Sequence, residues 1–499
     1  MSGIRVTYSG MISFVVGLAS VFTGLCFTVI ITRQLSQEEF GIWSLIGGLA
    51  AYVLIFRPII SFWSTREIAR GVESGKTSFL SNSFFASAAT IIYLIIVYFY
   101  SEHTDVNLNI LFFSSILIPV EFVRSSLIGI TNAFKPQTEE YGIIIFEIIK
   151  IVTAIILIYF LDMGIVGLII TSVIATLSTI LWLLIRTFPK IKGEFHKKYL
   201  KKWLKLFWLP TYPNISQLLN TIDVTVFTIV TGSVTGLAYW GVARAVGRIV
   251  NHSTKIGKAV YPKLLGGGKK EYFQENLTLV FYFSFPLAAM SFTFAKPGLF
   301  VLNPIYEVAI FIVVFLVPTI LFRTLADLFS EILSGIEKVD TRINATFMDY
   351  LKSKLFFLPT LRNIQSTVYL TSLGVMLFFT INITDSDLDL VLYWSIIALV
   401  TQIPYTFYLF LLIRREFKPK IDTKAIAKYF FASVIAFGIT YLLMEKYLNY
   451  KESLFEFLPE FLPFVGIGSI SYLVITYFID SKTKNLFKSI LKEINNKSV

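Results

Sequence analysis

The chain has 499 residues, of which 55% are hydrophobic and 15% charged, with a formal net charge of +12. An average soluble domain carries about 25% charged residues, so an ordinary soluble globule is excluded because its surface would lack polar cover. A single cysteine, Cys26, and three histidines far apart in sequence also exclude a disulfide framework and a histidine-rich metal centre.

A hydrocarbon layer takes about 20 mainly apolar residues per helix, and segments of that kind recur along the whole sequence. Arg5 precedes a full-length apolar run with no small-residue cleavage site, so the first segment is expected to remain as a membrane helix. In chain order the predicted spans are 9–32, 40–62, 79–100, 108–130, 141–160 and 164–186. The next six are 206–230, 235–260, 276–296, 303–334, 351–380 and 390–413, and two more follow at 425–447 and 460–479. The expected fold is an all-α polytopic membrane protein of about fourteen spans.

Charge placement supports this division. With both termini in the cytoplasm, the inner loops, the tails and the adjoining inner ends of the spans hold 33 lysines and arginines. The outer loops hold 4, namely Arg33, Lys296, Lys446 and Lys451. Such a bias is what the positive-inside rule requires of a multi-pass protein of the cell membrane. Anionic inner-leaflet lipid then accounts for the net charge, and no nucleic-acid partner is expected.

Two near-equal offsets suggest an internal duplication. Pro119 and Arg124 in span four recur as Pro318 and Arg323 in span ten, 199 residues on. Phe40 to Trp43 at span two recurs as Leu237 to Trp240 at span eight, 197 residues on. Six helices per repeat is an even number, which makes the repeats parallel and relates them by a pseudo-twofold axis along the membrane normal. The expected domains are a six-helix bundle at 1–190, an interfacial linker helix at 191–205, a second six-helix bundle at 206–413, and a helix pair with basic tail at 414–499. The linker alternates lysines with Trp203, Leu204, Phe207 and Trp208, a pattern suited to a helix lying in the headgroup layer.

Ionisable groups at membrane depth cost about 2.5–3.5 kcal/mol each on insertion scales and persist where they pair, snorkel or line a wet cavity. Glu121 with Arg124, Glu147 with Lys150, and Arg323 with Asp327 are three or four residues apart and share helix faces. They are expected to lock helices or to pair within a cavity. Arg57 lies beside Pro58 with no acid one turn away, and snorkelling is its simplest reading. Arg244 and Arg248 share a face of span eight and repel unless an anion or carboxylate answers them, with Asp223 in span seven the nearest protein candidate. Helices two, seven and eight are therefore expected to wall a cavity of net positive charge suited to phosphate, with Arg57, Arg244 and Arg248 as substrate contacts.

The run Thr32 to Trp43, which includes Ser36-Gln37-Glu38-Glu39-Phe40-Gly41, resembles the first outer loop of the polysaccharide exporters. These are the Wzx-like oligosaccharide flippases of the multidrug/oligosaccharidyl-lipid/polysaccharide (MOP) superfamily. Pro210 followed by Asn220-Thr221-Ile222-Asp223 is similar to that family's span-seven pattern, and the two halves with a trailing helix pair also fit. The resemblance implies alternating access by two bundles, acting as a monomer on a polyprenyl- or dolichyl-linked oligosaccharide that moves from the cytoplasmic to the outer leaflet. It carries the cationic cavity role onto Arg57 and onto Arg244 or Arg248, and it places Asp223 as the span-seven acid, leaving Na⁺ or H⁺ coupling open. No organic cofactor or metal is expected, and the chain is not expected to be an enzyme.

Two rivals remain. A membrane glycosyltransferase or oligosaccharide ligase would draw on Asp385-Ser386-Asp387-Leu388-Asp389, although the outer loops are short for such an enzyme. A small-molecule exporter of the MATE type shares the superfamily. Gly266-Gly267-Gly268-Lys269-Lys270 lacks the spacing and hydroxyl of a phosphate-binding loop, which argues against ATP hydrolysis.

Overall fold

A computed structural model of the chain describes residues 6–102, 106–135, 137–205, 207–252, 270–335, 337, 339, 347–384, 386–417, 422–481 and 483–484. The glycine–lysine run at 266–270 thus lies mostly outside the described residues, as do Arg5, the lysines at 255, 258, 263, 488, 492 and 497, Lys338, Arg342, and Asp385 of the acidic loop.

Every long element among the described residues is helical. The first eight helices are α1 (Val6–Gln34), α2 (Gln37–Leu54), α3 (Pro58–Ala69), α4 (Gly75–Ser101), α5 (Leu108–Ser114), α6 (Leu117–Asn132), α7 (Gln137–Ala154) and α8 (Gly164–Ile191). Four follow at α9 (Lys197–Lys205), α10 (Trp208–Thr211), α11 (Ile215–Thr231) and α12 (Thr235–Gly247). The rest are α13 (Lys270–Thr293), α14 (Ala295–Leu302), α15 (Ile310–Gly335), α16 (Phe347–Leu351), α17 (Lys354–Thr380), α18 (Asp387–Phe417), α19 (Thr423–Tyr447) and α20 (Leu454–Ile479).

Eight helical segments among the described residues are each long and apolar enough to cross a membrane, and two bent pairs raise the number to ten. The chain is an integral multi-pass membrane protein. Of the fourteen predicted spans, the first, seventh, eighth and eleventh are not in that set. Two of these are short, α11 with 17 residues and α12 with 13. At 1.5 Å per residue neither reaches the roughly 30 Å of a hydrocarbon core. The eleventh carries Arg362, Asn363 and Gln365 within α17, so its polar content sets it apart.

Span two, predicted as one helix, is a bent pair: α2 and α3 meet at 57°. Pro58 suits the break, because its ring removes a backbone donor and fits best in the first turn of a new helix, where it stands at the start of α3. A second bend of 66° separates Leu277–Thr293 from α14.

Packing divides the chain into two compact units, one of Met1–Gly241 with Ser366–Leu390, the other of Val242–Gln365 with Val391–Val499. In the first, α7 packs on α8 and α1, α6 on α4 and α8, and α11 on α2. Small residues permit these approaches. Gly41 in α2 abuts the Val234 carbonyl, and a Cβ there would collide with it. Gly232 ends α11 in the left-handed conformation (φ +69°) that suits glycine at a helix terminus. In the second unit, α13 packs on α15 and α19, and α19 on α20. Tyr282, Tyr429, Phe437, Phe457 and Tyr472 fill that core.

Candidate functional site

Among the described residues of the first unit, three polar clusters bear on the predicted site residues. The most open is centred on Glu121 of α6. Its Oε2 accepts from Nη1 of Arg57 at 2.6 Å and from Nη2 of Arg124 at 2.9 Å, while Oε1 accepts from Nε of Arg124 at 3.1 Å. The expected one-turn pair Glu121–Arg124 is therefore present, and Arg57 joins it from 64 residues away. Two guanidinium groups around one carboxylate put +1 on these three side chains, and the Glu139 carboxylate at the start of α7 lies close enough to Arg124 to feel its charge. The side chains are 32% (Arg57), 20% (Glu121) and 29% (Arg124) exposed, so none is sealed off.

Arg57 occupies the break between α2 and α3. Its Nε also donates to the Leu54 carbonyl at 3.2 Å, which lies at the C-terminal end of α2. A positive group is favoured there because the last carbonyls of a helix are partly negative and lack intrahelical partners. Arg57 is thus held by a helix end and a carboxylate, where the sequence offered headgroup snorkelling or a place in a phosphate-binding cavity.

The second cluster contains Asp223 of α11. It is buried, and its Oδ2 accepts the Tyr369 hydroxyl at 2.7 Å. Two residues on, Thr225 accepts the Tyr52 hydroxyl at 2.7 Å, and five residues on, Thr228 accepts the Tyr100 hydroxyl. Three tyrosines from α2, α4 and α17 thus donate to polar side chains of α11.

The third cluster joins α7 to α1. Lys150 donates to Glu147 Oε2 at 2.7 Å, and the same oxygen accepts from Thr23 at 2.8 Å. These two charged side chains are only 11% and 15% exposed. The Lys150 ammonium also sits 4.9 Å from the Phe27 ring centroid and 5.0 Å from that of Phe146, a favourable placement over negative ring faces.

In the second unit, Arg362 Nη1 donates to Asp327 Oδ1 at 2.7 Å, joining α17 to α15. Asp327 had been matched with Arg323 one turn earlier on α15. The Arg362 partner, 35 residues away, was not expected. Arg244 lies in α12, and Arg248 opens the 3₁₀ turn Arg248–His252, which packs on α13 and α15. Arg248 is exposed and Arg244 half-buried. Arg57 and Asp223 thus belong to the first unit, and Arg244 and Arg248 to the second.

The acidic outer loop of the enzyme reading has structural employment. Asp387 accepts the Ser233 hydroxyl at 2.5 Å, and Asp389 accepts from Thr384 at 3.4 Å.

The Ser36–Gly41 run that carries the family resemblance is likewise built into the fold. Ser36 caps α2, and Glu39 returns a carboxylate oxygen to the Ser36 N–H at 3.0 Å, forming a capping box. The other Glu39 oxygen accepts the Ile165 N–H at 3.0 Å, in the first turn of α8. One side chain therefore satisfies donors at two helix starts.

No family model matches the chain, and no curated protein matches its sequence. Solved structures do. The structure of the lipid II flippase MurJ in an inward closed conformation aligns over 94% of this chain and 98% of its own, with TM-score 0.65 and 15% identity. An inward-facing multidrug resistance MATE family transporter of the MOP superfamily aligns over 80% of this chain and 95% of its own, with TM-score 0.57 and 14% identity. The Vibrio cholerae MATE transporter VcmN aligns over 82% and 98%, with TM-score 0.55 and 12% identity. At these identities the likeness is one of fold alone: the chain shares the helical architecture of these solved structures.

Proposed function

We propose that this protein is a flippase. Its cargo is an anionic oligosaccharide linked to polyprenyl or dolichyl phosphate or pyrophosphate, moved from the cytoplasmic to the outer leaflet by alternating access, with no covalent step. The observation that carries this reading is the open Arg57–Glu121–Arg124 cluster, with its surplus positive charge inside a helical membrane unit. A phosphate leaving water needs replacement donors, and guanidinium groups supply them in a planar, bidentate geometry. The lipid tail stays in the bilayer while the headgroup is passed along such donors.

Arg244 and Arg248 in the second unit are proposed as further phosphate contacts, and Asp223 as the group through which Na⁺ or H⁺ drives transport. Glu121, Arg124, Arg323 and Asp327 hold the arginines and helices in place around the headgroup's route. The protein works as a monomer, with both termini in the cytoplasm and anionic lipid against its inner face. Likeness of fold to the flippase MurJ over nearly the whole chain supports this reading.

The test is reconstitution in liposomes with lipid-linked oligosaccharides, following leaflet exchange under imposed Na⁺, H⁺ and voltage gradients. Loss of a hydrogen bond to a charged group is worth roughly 1.5–3 kcal/mol, so Arg57→Ala, Arg244→Ala and Arg248→Ala should each slow exchange about ten- to a hundredfold. Full activity in all three, with folding verified, rejects the anion contacts.

The buried Asp223–Tyr369 pair favours a second reading, export of a small cation, since a carboxylate at membrane depth suits a positive cargo. Movement of soluble cations, with no movement of any lipid-linked sugar, would select it.

A further inference from the structure

The ion pairs within the helices fall into two kinds. Glu147–Lys150 is sealed, with side chains 15% and 11% exposed, a third polar partner in Thr23 and two aromatic rings over the ammonium. Glu121 with Arg57 and Arg124, and in the other unit Asp327 with Arg362, keep a fifth to two-fifths of their side-chain surface open. A charge left open toward hydrocarbon would be heavily penalised, so these openings face water or headgroups. A sealed pair can only lock helices together, whereas an open pair can change partners.

The open clusters also share a pattern. In each, a carboxylate on one helix accepts an arginine from another helix, which no local sequence spacing imposes. At Glu121 the match is fuller, because both carboxylate oxygens are engaged and Oε2 is shared by two arginines. A carboxylate between two guanidinium groups presents much what a phosphate would present, namely paired anionic oxygens in reach of planar donors.

We propose that the Glu121 carboxylate is a built-in stand-in anion. It occupies Arg57 and Arg124 while no cargo is bound, is displaced from them by the cargo's phosphate, and returns to expel that phosphate at release. This rests on the flippase reading for the identity of the displacing group, an organic phosphate or pyrophosphate. The stand-in keeps the arginines aimed and compensated in the empty protein, and it prevents product from being held too tightly.

Competition of this kind lowers apparent affinity in proportion to the time the donors are engaged. If the carboxylate holds them about nine-tenths of the time, its removal tightens binding about tenfold. The experiment measures binding of radiolabelled inorganic pyrophosphate to the purified full-length protein in nanodiscs. Glu121→Gln keeps the side-chain shape and removes the charge, and it should bind pyrophosphate about tenfold more tightly than wild type. In the liposome assay the same variant should show a lower KM and a lower kcat. Glu147→Gln, in its folded fraction, should leave pyrophosphate binding at the wild-type value.

Equal or weaker binding by Glu121→Gln overturns the proposal, and so does an absence of pyrophosphate binding by both proteins. Should Glu121→Gln not fold, infrared difference spectra decide the matter in the Asp327→Asn protein. Adding pyrophosphate must shift a carboxylate stretching band, and an unshifted spectrum rejects the exchange. Tighter pyrophosphate binding without movement of any lipid-linked sugar would retain the stand-in and reject the flippase reading. Lipid flipping with unaltered pyrophosphate binding would do the reverse.

Discussion

Glu147 and Lys150 illustrate how a charge survives among apolar helices. The ammonium is met by a carboxylate and two ring faces, and that carboxylate also accepts a threonine hydroxyl from α1. Removing one partner of such a pair leaves an uncompensated charge, typically a loss of about 3–5 kcal/mol. Glu147→Gln is therefore expected to lower the melting temperature of the detergent-solubilised protein sharply, and Glu147→Gln with Lys150→Met should recover most of the loss. Equal melting of the single variant and wild type would show the pair to be idle. This pair and Glu121–Arg124 were legible in the sequence because a three-residue interval puts two side chains on one helix face. Arg57–Glu121, Arg362–Asp327 and Asp223–Tyr369 were not legible. Their partners are 64, 35 and 146 residues apart, and only tertiary packing brings them together.

At the scale of elements, a helix at α9 was legible from its alternation of lysines with aromatics. Which residue anchors it was not, since Trp203, Leu204, Phe207 and Trp208 all looked alike. Trp203 alone of these is fully buried, packed with Ile59, Ile60, Trp63 and Phe85, while Leu204 and Phe207 are exposed. Tyr199 stacks on it one turn away, and Lys202 reaches Glu67 of α3 at 3.0 Å. Truncating a buried tryptophan usually costs about 3–5 kcal/mol. Trp203→Ala should detach α9 and expose its lysines to trypsin, giving early cleavage at 197–205. Cleavage no faster than in wild type would contradict that anchoring role. The bend in span two was half legible: Pro58 marks the break, but the direction of the new helix is set by its packing on α6 and α4.

At the scale of the whole molecule, apolar segment lengths and the lysine–arginine bias were enough to indicate a polytopic helical membrane fold. They were less able to fix the number of spans, because α11, α12 and α17 mix polar residues into membrane-facing lengths. The last described residues show how the C-terminal helix pair is closed. Asp480, just beyond α20, is buried, which opposes its charge. The Thr483 N–H, the Tyr429 hydroxyl, the Thr483 hydroxyl and the nearby Lys428 ammonium outweigh that burial and hold its carboxyl below the usual range. A depressed carboxyl contributes its full stability above the unfolded value of about 3.9 and loses it as pH falls through the folded value. Asp480→Asn should therefore melt below wild type at neutral pH, with the gap closing under acid conditions. A gap that stays constant down to acid pH would mean the carboxylate has no such role.

One consequence follows from the way Arg57 is tethered. A single guanidinium holds the Leu54 carbonyl at the end of one helix through Nε and the Glu121 carboxylate through Nη1. Swapping that anion for a larger, more highly charged one tugs the same rigid plane, and the plane is fastened at the elbow of a bent span. If phosphate takes the carboxylate's place as proposed, occupancy would be translated into backbone direction within one side chain, with the elbow as a lever whose short arm is chemical and whose long arm is α3.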